Sequence, residues 1–435
     1  MNKFYIFITV ALATTTALAD GPDETILQYA SNYYAYPIER TGAPKLTEAP
    51  AGYKPFHIEH YGRHGSRWHI GENAYKKPVE MMEVGERNGK LTARGQELLK
   101  QLREIQKASE GRDGELSPLG AIQHRGIGRR MVKNFPEVFE GDAYVTGRSS
   151  TVVRCILSMD NELQEMAAAN PALRITSDAT ESEMYRLAGI DTTGMEPAYR
   201  RQMGKMGREA YYDFVKKHPV GDEFIDVIFT DRQFALDSID TSRLGHFLFD
   251  IAANAQSLDR SVFPNYAPYD IFTAKELKNR WVNNNVSWFT EYGNSKITGN
   301  LKPFYQKALL CNIIESADTA MTAPGKGANL RFGHEVILMP LTVLMELDDF
   351  GKEINNLEEV EANWKNYEIF PMGSNIQMIF YRPEGSTNPD DVLVKVLLNE
   401  KERRLPVKPV NGPYYKWSDL RKYYLDKLSK WNTTS

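Results

Sequence analysis

The sequence predicts an α/β fold in which a sheet flanked by helices is built from both ends of the chain, with a helical insertion between them. Three observations predict it. Runs rich in aromatic and β-branched residues lie towards both ends, at Phe56–Tyr61, Ala143–Thr146, Ile376–Tyr381 and Val392–Leu398. Capped helical segments alternate with them. From about 160 to 300 the pattern is instead helical and polar, with no strong strand run. The division that follows is a targeting segment over 1–19, an α/β domain over 20–160 plus 300–435, and a helical cap over 161–299.

The elements are justified in order. Lys3, an apolar run from Phe4 to Ala13 and the small residues of Ala17-Leu18-Ala19 form a secretory signal pattern, so a mature chain begins near Asp20 in a periplasmic, extracellular or luminal compartment. The run is too short for a membrane span, which needs about 20 apolar residues. Phe56-His-Ile-Glu-His-Tyr61 reads as a strand ended by Gly62. Thr92 caps a helix carrying Leu98, Leu102 and Ile105 at i, i+4, i+7, and Ser117 caps another with Pro118 at its first position. Ala143–Thr146 is a short strand running into Gly147-Arg-Ser-Ser150, followed by a helix expected to carry Val153, Ile156 and Leu157 on one side.

Composition removes whole classes. The 435 residues include 53 Lys and Arg against 57 Asp and Glu, a formal charge of −4. General nucleic-acid binding is therefore not expected, and any anionic ligand must meet a local cluster of positive charge. Cys155 and Cys311 are too few for a disulfide scaffold or a cysteine zinc site. Asn285-Val-Ser287 and Asn432-Thr-Thr434 have the form of glycosylation sequons.

The chemistry concentrates in Tyr61-Gly-Arg-His-Gly-Ser-Arg67, directly after a predicted strand, where α/β sheets place their ligands. Arg63 and Arg67 can grip phosphate oxygens bidentately, and His64 between them is placed to attack phosphorus as a neutral imidazole. A zinc site on His57, His60 and His64 is disfavoured, because Gly62 and Gly65 oppose the helix it needs and the arginines repel a dication. A second cluster, Arg148-Ser-Ser-Thr-Val-Val-Arg154, puts Arg154 near a helix N-terminus. A third, Leu330-Arg-Phe-Gly-His-Glu335, pairs His334 with Glu335.

Together these segments resemble the histidine acid phosphatase superfamily, and most closely its multiple inositol polyphosphate phosphatase (phytase) branch. Leu91-Thr-Ala-Arg-Gly95, Ser117-Pro-Leu-Gly-Ala-Ile-Gln-His-Arg125 and Val394–Asn399 add to the likeness, which covers roughly 30 to 160 and 300 to 425. The resemblance implies a phosphoglycerate-mutase-like α/β fold with a helical cap, and a phosphoric monoester hydrolase without cofactor or metal. It implies His64 as the nucleophile, Arg63, Arg67 and Arg154 as phosphate ligands, His334 on a phosphate oxygen and Glu335 as proton donor. The branch usually reads His-Ala-Glu, whereas here Glu335 adjoins His334 and Val336 stands in the place of that glutamate. Glu335 must be protonated when it acts, which calls for acidic pH or a burial that raises its pKa.

Inositol polyphosphates would also need a basic rim. Arg201, Lys205 and Arg208, with Arg200 beside them, are candidates in the insertion, as are Lys275, Lys278 and Arg280. Trp281 and Trp288 are expected in the core of the insertion, and Cys155 as a packed residue rather than a nucleophile. The expected partner is an anionic phosphorylated small molecule. Competing readings are a broad-specificity acid or sugar phosphatase, a mutase-like transferase, and a non-catalytic phosphate-binding protein.

Overall fold

The computed structural model describes residues 23–39, 44–71, 73–189, 196–259, 268–322 and 325–430. The expected signal segment and Asn432 lie outside them. The strands are β1 (Tyr53–Arg63), β2 (Tyr144–Ser149), β3 (Arg174–Asp178), β4 (Gly327–Gly333), β5 (Asn375–Pro383), β6 (Leu393–Leu398), β7 (Lys401–Arg403) and β8 (Tyr415–Lys416). They form one sheet in the order β3-β2-β4-β1-β5-β6-β7, with β8 also on β6. β3, β2, β4 and β1 run parallel, and β5, β6 and β7 continue the sheet antiparallel. The α/β class expected from the sequence is the class observed.

The principal helices are α1 (Asn73–Arg87), α2 (Ala93–Ser109), α3 (Pro118–Asn134), α4 (Val153–Ala169), α5 (Thr241–Ala255), α6 (Ala274–Tyr292), α7 (Lys307–Thr322), α8 (Glu335–Leu344) and α9 (Trp417–Ser429). Thr92 and Ser117 cap α2 and α3 as expected, each accepting from a backbone N–H of the first turn. The central strands are buried on both faces; β5 and β6 read as largely apolar runs, whereas β1 and β4 also bury His57, Glu59, His60 and Arg331. On one face, Ile376, Met378 and Phe380 of β5 with Val394 and Val396 of β6 pack against α7, α8 and α9. On the other, Ile58, Leu330, Phe332 and Ile379 meet Met131 of α3 and Met159 and Leu163 of α4. A third apolar cluster joins α1 and α2 to α5 and to Phe224, Ile228 and Phe272. The helical layer therefore draws on chain before residue 110 as well as on the insertion.

Several local expectations are corrected. β3 is a strand in a stretch where none was expected, because it needs little apolar surface at the sheet edge: its residues are exposed or half-buried. On α4, Val153 and Leu157 are exposed at 65% and 43%, and the buried side carries Cys155, Ser158, Met159, Glu162 and Met166. The helix buries small and polar groups towards the sheet, and a purely apolar pattern misplaces its face. Asn285 is fully buried and donates through Nδ2 to the Trp364 carbonyl, so this sequon is closed to an attaching enzyme. The two cysteines, too few for a disulfide scaffold, are free thiols, which corrects no expectation.

Phe332 is fully buried between the His60 and His124 rings. Phe332→Ala should cost about 3–5 kcal/mol in equilibrium denaturation. A loss below about 1 kcal/mol would show that this side of the sheet is not packed as described.

Candidate active site

The register of three parallel strands assembles the site. Arg63, the last residue of β1, lies opposite Gly333, the last residue of β4, and Ser149 at the end of β2 lies opposite Phe332. The chain segments that follow, His64–Arg67, His334–Glu335 and Ser150–Arg154, thus emerge side by side at one edge. α4 and α8 begin there, so two helix N-termini face the same space. This brings His64, Arg63, Arg67, Arg154, His334 and Glu335 together from distant parts of the sequence.

The loop after β1 is held at nearly every peptide unit. Arg63 N donates to Ser374 O, His64 N to Gly333 O and Gly373 N to His64 O. Gly65 N donates to Ser158 Oγ, and Ser66 N to Gln123 Oε1. Ser117 donates to Ser66 O through both its amide and its hydroxyl, so the cap of α3 also clamps the loop. Gly65 and Gly120 let the two backbones touch: a Cβ on Gly65 would lie 2.5 Å from Gly120 O, and one on Gly120 would lie 2.2 Å from Ser66 O.

His64 is fully buried, and its Nδ1 lies 2.9 Å from Gly65 O. A carbonyl oxygen only accepts, so Nδ1 carries the hydrogen and Nε2 keeps its lone pair. Burial is the main reason the imidazole is held well below its ordinary pKa, with Arg63 and Arg154 acting in the same direction against Glu335. Arg63, also fully buried, donates through Nη1 to Asn32 O and Phe370 O, and its Nε lies 3.1 Å from Glu335 Oε2. Arg67 donates through Nη1 to Trp68 O. Arg63 Nη2, Arg67 Nε, Arg154 Nε and His64 Nε2 are buried without a hydrogen-bond partner. Unpartnered buried donors around one lone pair mark a seat for an anion.

His334 stands at the N-cap position of α8 without a side-chain capping bond and has its Nε2 3.4 Å from Ser150 Oγ; its ring centre is 5.6 Å from that of His64. Burial lowers its pKa to about 4, so it is neutral near pH 7. Glu335 Oε2 sits 3.6 Å from His64 Nε2 as well as on Arg63. Burial would raise the Glu335 carboxyl, but the Arg63 guanidinium, with Arg67 acting in the same direction, outweighs it and holds it well below the usual range. Of the two ways expected for Glu335 to be protonated, a pKa raised by burial is thereby ruled against, which leaves acidic pH. Val336 packs against the apolar core.

Ligand atoms of His64, His334 and Glu335 lie within 4.8 Å of one another. Three surrounding guanidinium groups oppose a dication there, and a metal on His64 would take the lone pair. His57 pairs with Glu59 at 2.7 Å and His60 lies against Phe332, so His57, His60 and His64 do not converge.

The other basic groups fare differently. Arg201 and Arg208 are exposed, and no described contact carries them to the pocket; the side chain of Lys205 is outside the described residues. Lys278 pairs with Glu361, and Arg280 is buried against the Phe224 and Phe272 rings, so neither belongs to a rim. Trp281 is core, donating to Asn366 Oδ1, and Cys155 is packed against His334 with its thiol pushed up to about 12 by burial. Tyr33, whose ring lies 5.5 Å from the Arg67 guanidinium carbon, was not foreseen. It stands far upstream of the arginine motif and carries no spacing signal.

A mixed sheet with a helical layer beside it is also the fold of solved inositol polyphosphate phosphatases and phytases. The multiple inositol polyphosphate phosphatase of Bifidobacterium longum, solved with inositol hexasulfate, matches with a TM-score of 0.74 at 17% identity, over 91% of this chain and 97% of that one. The phytase from D. castellii matches at 0.67 and 14%, over 95% and 89%. The Hafnia alvei phytase matches at 0.53 and 11%, over 89% and 100%. At such identities the likeness establishes the fold. No family model matches the sequence, and neither does any curated protein.

Gly120→Ala should force the loop and α3 apart, costing about 1–3 kcal/mol and weakening binding of inorganic phosphate. Thermal unfolding and phosphate titration test this; an unchanged variant in both would refute the contact.

Proposed function

We propose that the chain is a phosphoric monoester hydrolase of the histidine acid phosphatase superfamily that works through a phosphohistidine, with inositol polyphosphates as favoured substrates. The observation that carries the reading is the unpartnered Nε2 lone pair of His64, set among the buried donors of Arg63, Arg67 and Arg154. Three guanidinium groups against one carboxylate make the pocket locally cationic in a chain of net charge −4.

His64 Nε2 attacks phosphorus as the ester oxygen departs. The arginines, His334 and the N-termini of α4 and α8 take up the charge on the equatorial oxygens. The leaving alkoxide receives its proton from Glu335, which then takes a proton from the water that cleaves the phosphorus–nitrogen bond and frees His64. The ionised state that Arg63 imposes on Glu335 fits this sequence. A bound phosphate dianion would draw on Arg63, weaken the ion pair that holds the carboxyl down and so favour its protonated form. No metal is needed where guanidinium groups supply the charge.

The fold shared with the B. longum protein, solved with inositol hexasulfate, supports inositol polyphosphates over simple esters. We also propose the two-part organisation, an α/β unit covered by a helical cap. Secretion rests on the signal pattern of residues 1–19; no helix among the described residues is long and apolar enough to cross a membrane. A broad-specificity acid or sugar phosphatase is the second reading, favoured because no contact among the described residues brings Arg201 or Arg208 to the pocket.

His64→Ala should reduce turnover to background while thermal stability and phosphate binding persist; retained turnover would remove the nucleophile. Glu335→Gln should slow alkyl phosphates by about 10²–10⁴-fold and aryl phosphates less, since only the poor leaving group needs the proton. Equal slowing of both places the donor elsewhere. Because His64 stays neutral in acid and Glu335 must be protonated, kcat/KM, which reports the free enzyme, should already be falling as pH rises through the ordinary carboxylate range and should go on falling towards neutrality. A profile rising over that range would overturn the assignment. Initial rates on inositol hexakisphosphate and sugar monophosphates decide between the two substrate readings.

A further inference from the structure

We propose that Tyr33 and His69 are positioning residues that set the Arg67 guanidinium towards phosphate, and that helix α5 of the helical layer braces them. The inference rests on the phosphatase reading of the pocket. His69 is buried, and its Nε2 lies 2.8 Å from the Asp250 carbonyl of α5. That oxygen accepts, so Nε2 carries the ring hydrogen and Nδ1 presents a lone pair. Tyr33 Oη lies 2.9 Å from that Nδ1, so the hydroxyl must donate to it. The lone pairs of Oη are then free to face a cation, and the Tyr33 ring lies against Arg67. Desolvation lowers His69 to about 3, so the imidazole keeps this one-donor, one-acceptor form across the working range.

The same helix reaches the main chain of Arg67. Asn254, four residues after Asp250 and on the same side of α5, is fully buried and donates through Nδ2 to Arg67 O at 2.9 Å. Its Oδ1 accepts from Tyr75 Oη, which in turn accepts from His69 N. Arg67 is thus held at its backbone by Asn254 and at its side chain by the Asp250–His69–Tyr33 series. Its Nη1 is turned back to Trp68 O, and its Nε is buried with no partner. The clamp leaves that donor for an oxygen of the ligand.

Tyr33→Phe keeps the ring and removes the hydroxyl. In the full mature chain it should raise KM for an aryl phosphate and the inhibition constant of inorganic phosphate by about tenfold. The kcat and the melting temperature should stay close to those of the parent. His69→Asn, which can still accept from Tyr33, should lie nearer the parent than His69→Ala. In an Arg67→Lys background, Tyr33→Phe should lose most of its effect, because it acts through the guanidinium.

Should Tyr33→Phe lower the melting temperature and leave both constants within twofold, the residue is merely structural and the inference falls. Additive effects of Tyr33→Phe and Arg67→Lys would overturn it as well. A parent protein that neither hydrolyses the ester nor binds phosphate removes the phosphatase reading, and the inference with it. An active parent with indifferent variants removes the inference alone.

Discussion

The pairing of β1 with β4 is the constraint on which the site depends. Arg63 opposite Gly333 brings the segments after the two strands to the same height, so His64 and Glu335 meet at 3.6 Å although they are far apart in sequence. β2 on the other side of β4 delivers Arg154 by the same geometry. A slip of one residue would turn β1 over, exposing Ile58 to the wrong core and sending Arg63 away from the pocket. The burial that seats β1 between two cores therefore also fixes the geometry of the candidate site.

Burying guanidinium groups is costly, and the surroundings show how the cost is met. Arg63 has backbone carbonyls from two remote segments and the Glu335 carboxylate. Arg67 rests on Tyr33, and Arg154 starts a helix whose amide dipoles already favour an anion. Each arrangement satisfies some donors and leaves others, Arg63 Nη2, Arg67 Nε and Arg154 Nε, without a hydrogen-bond partner.

The sequence made much of this legible. The strand before His64, the caps at Thr92 and Ser117 and the positions of Arg154, His334 and Glu335 were all open to pattern reading. Strand, cap and motif signals are local, and here local and global preferences agree. Other features were not readable. β3 lies at a sheet edge with little apolar pattern, and α4 buries Ser158 and Glu162 where Val153 and Leu157 were expected. Arg280 looked like surface charge but is folded between aromatic rings. Tyr33 and Asn254 act only through contacts with distant segments, and such contacts leave no mark on spacing. The ionisation of Glu335 depends on its distance from Arg63, which a sequence does not contain.

The anchoring of residues 63–69 has a dynamic consequence. Their amides and carbonyls are tied to β4, α3, α4, α5 and the segment around Ser374, so no single neighbour can release them. Breathing of this loop requires several elements to open together, which assigns its amide exchange to the slowest, global class. Loosening of this loop on heating is then expected to accompany the opening of its neighbours rather than to precede it.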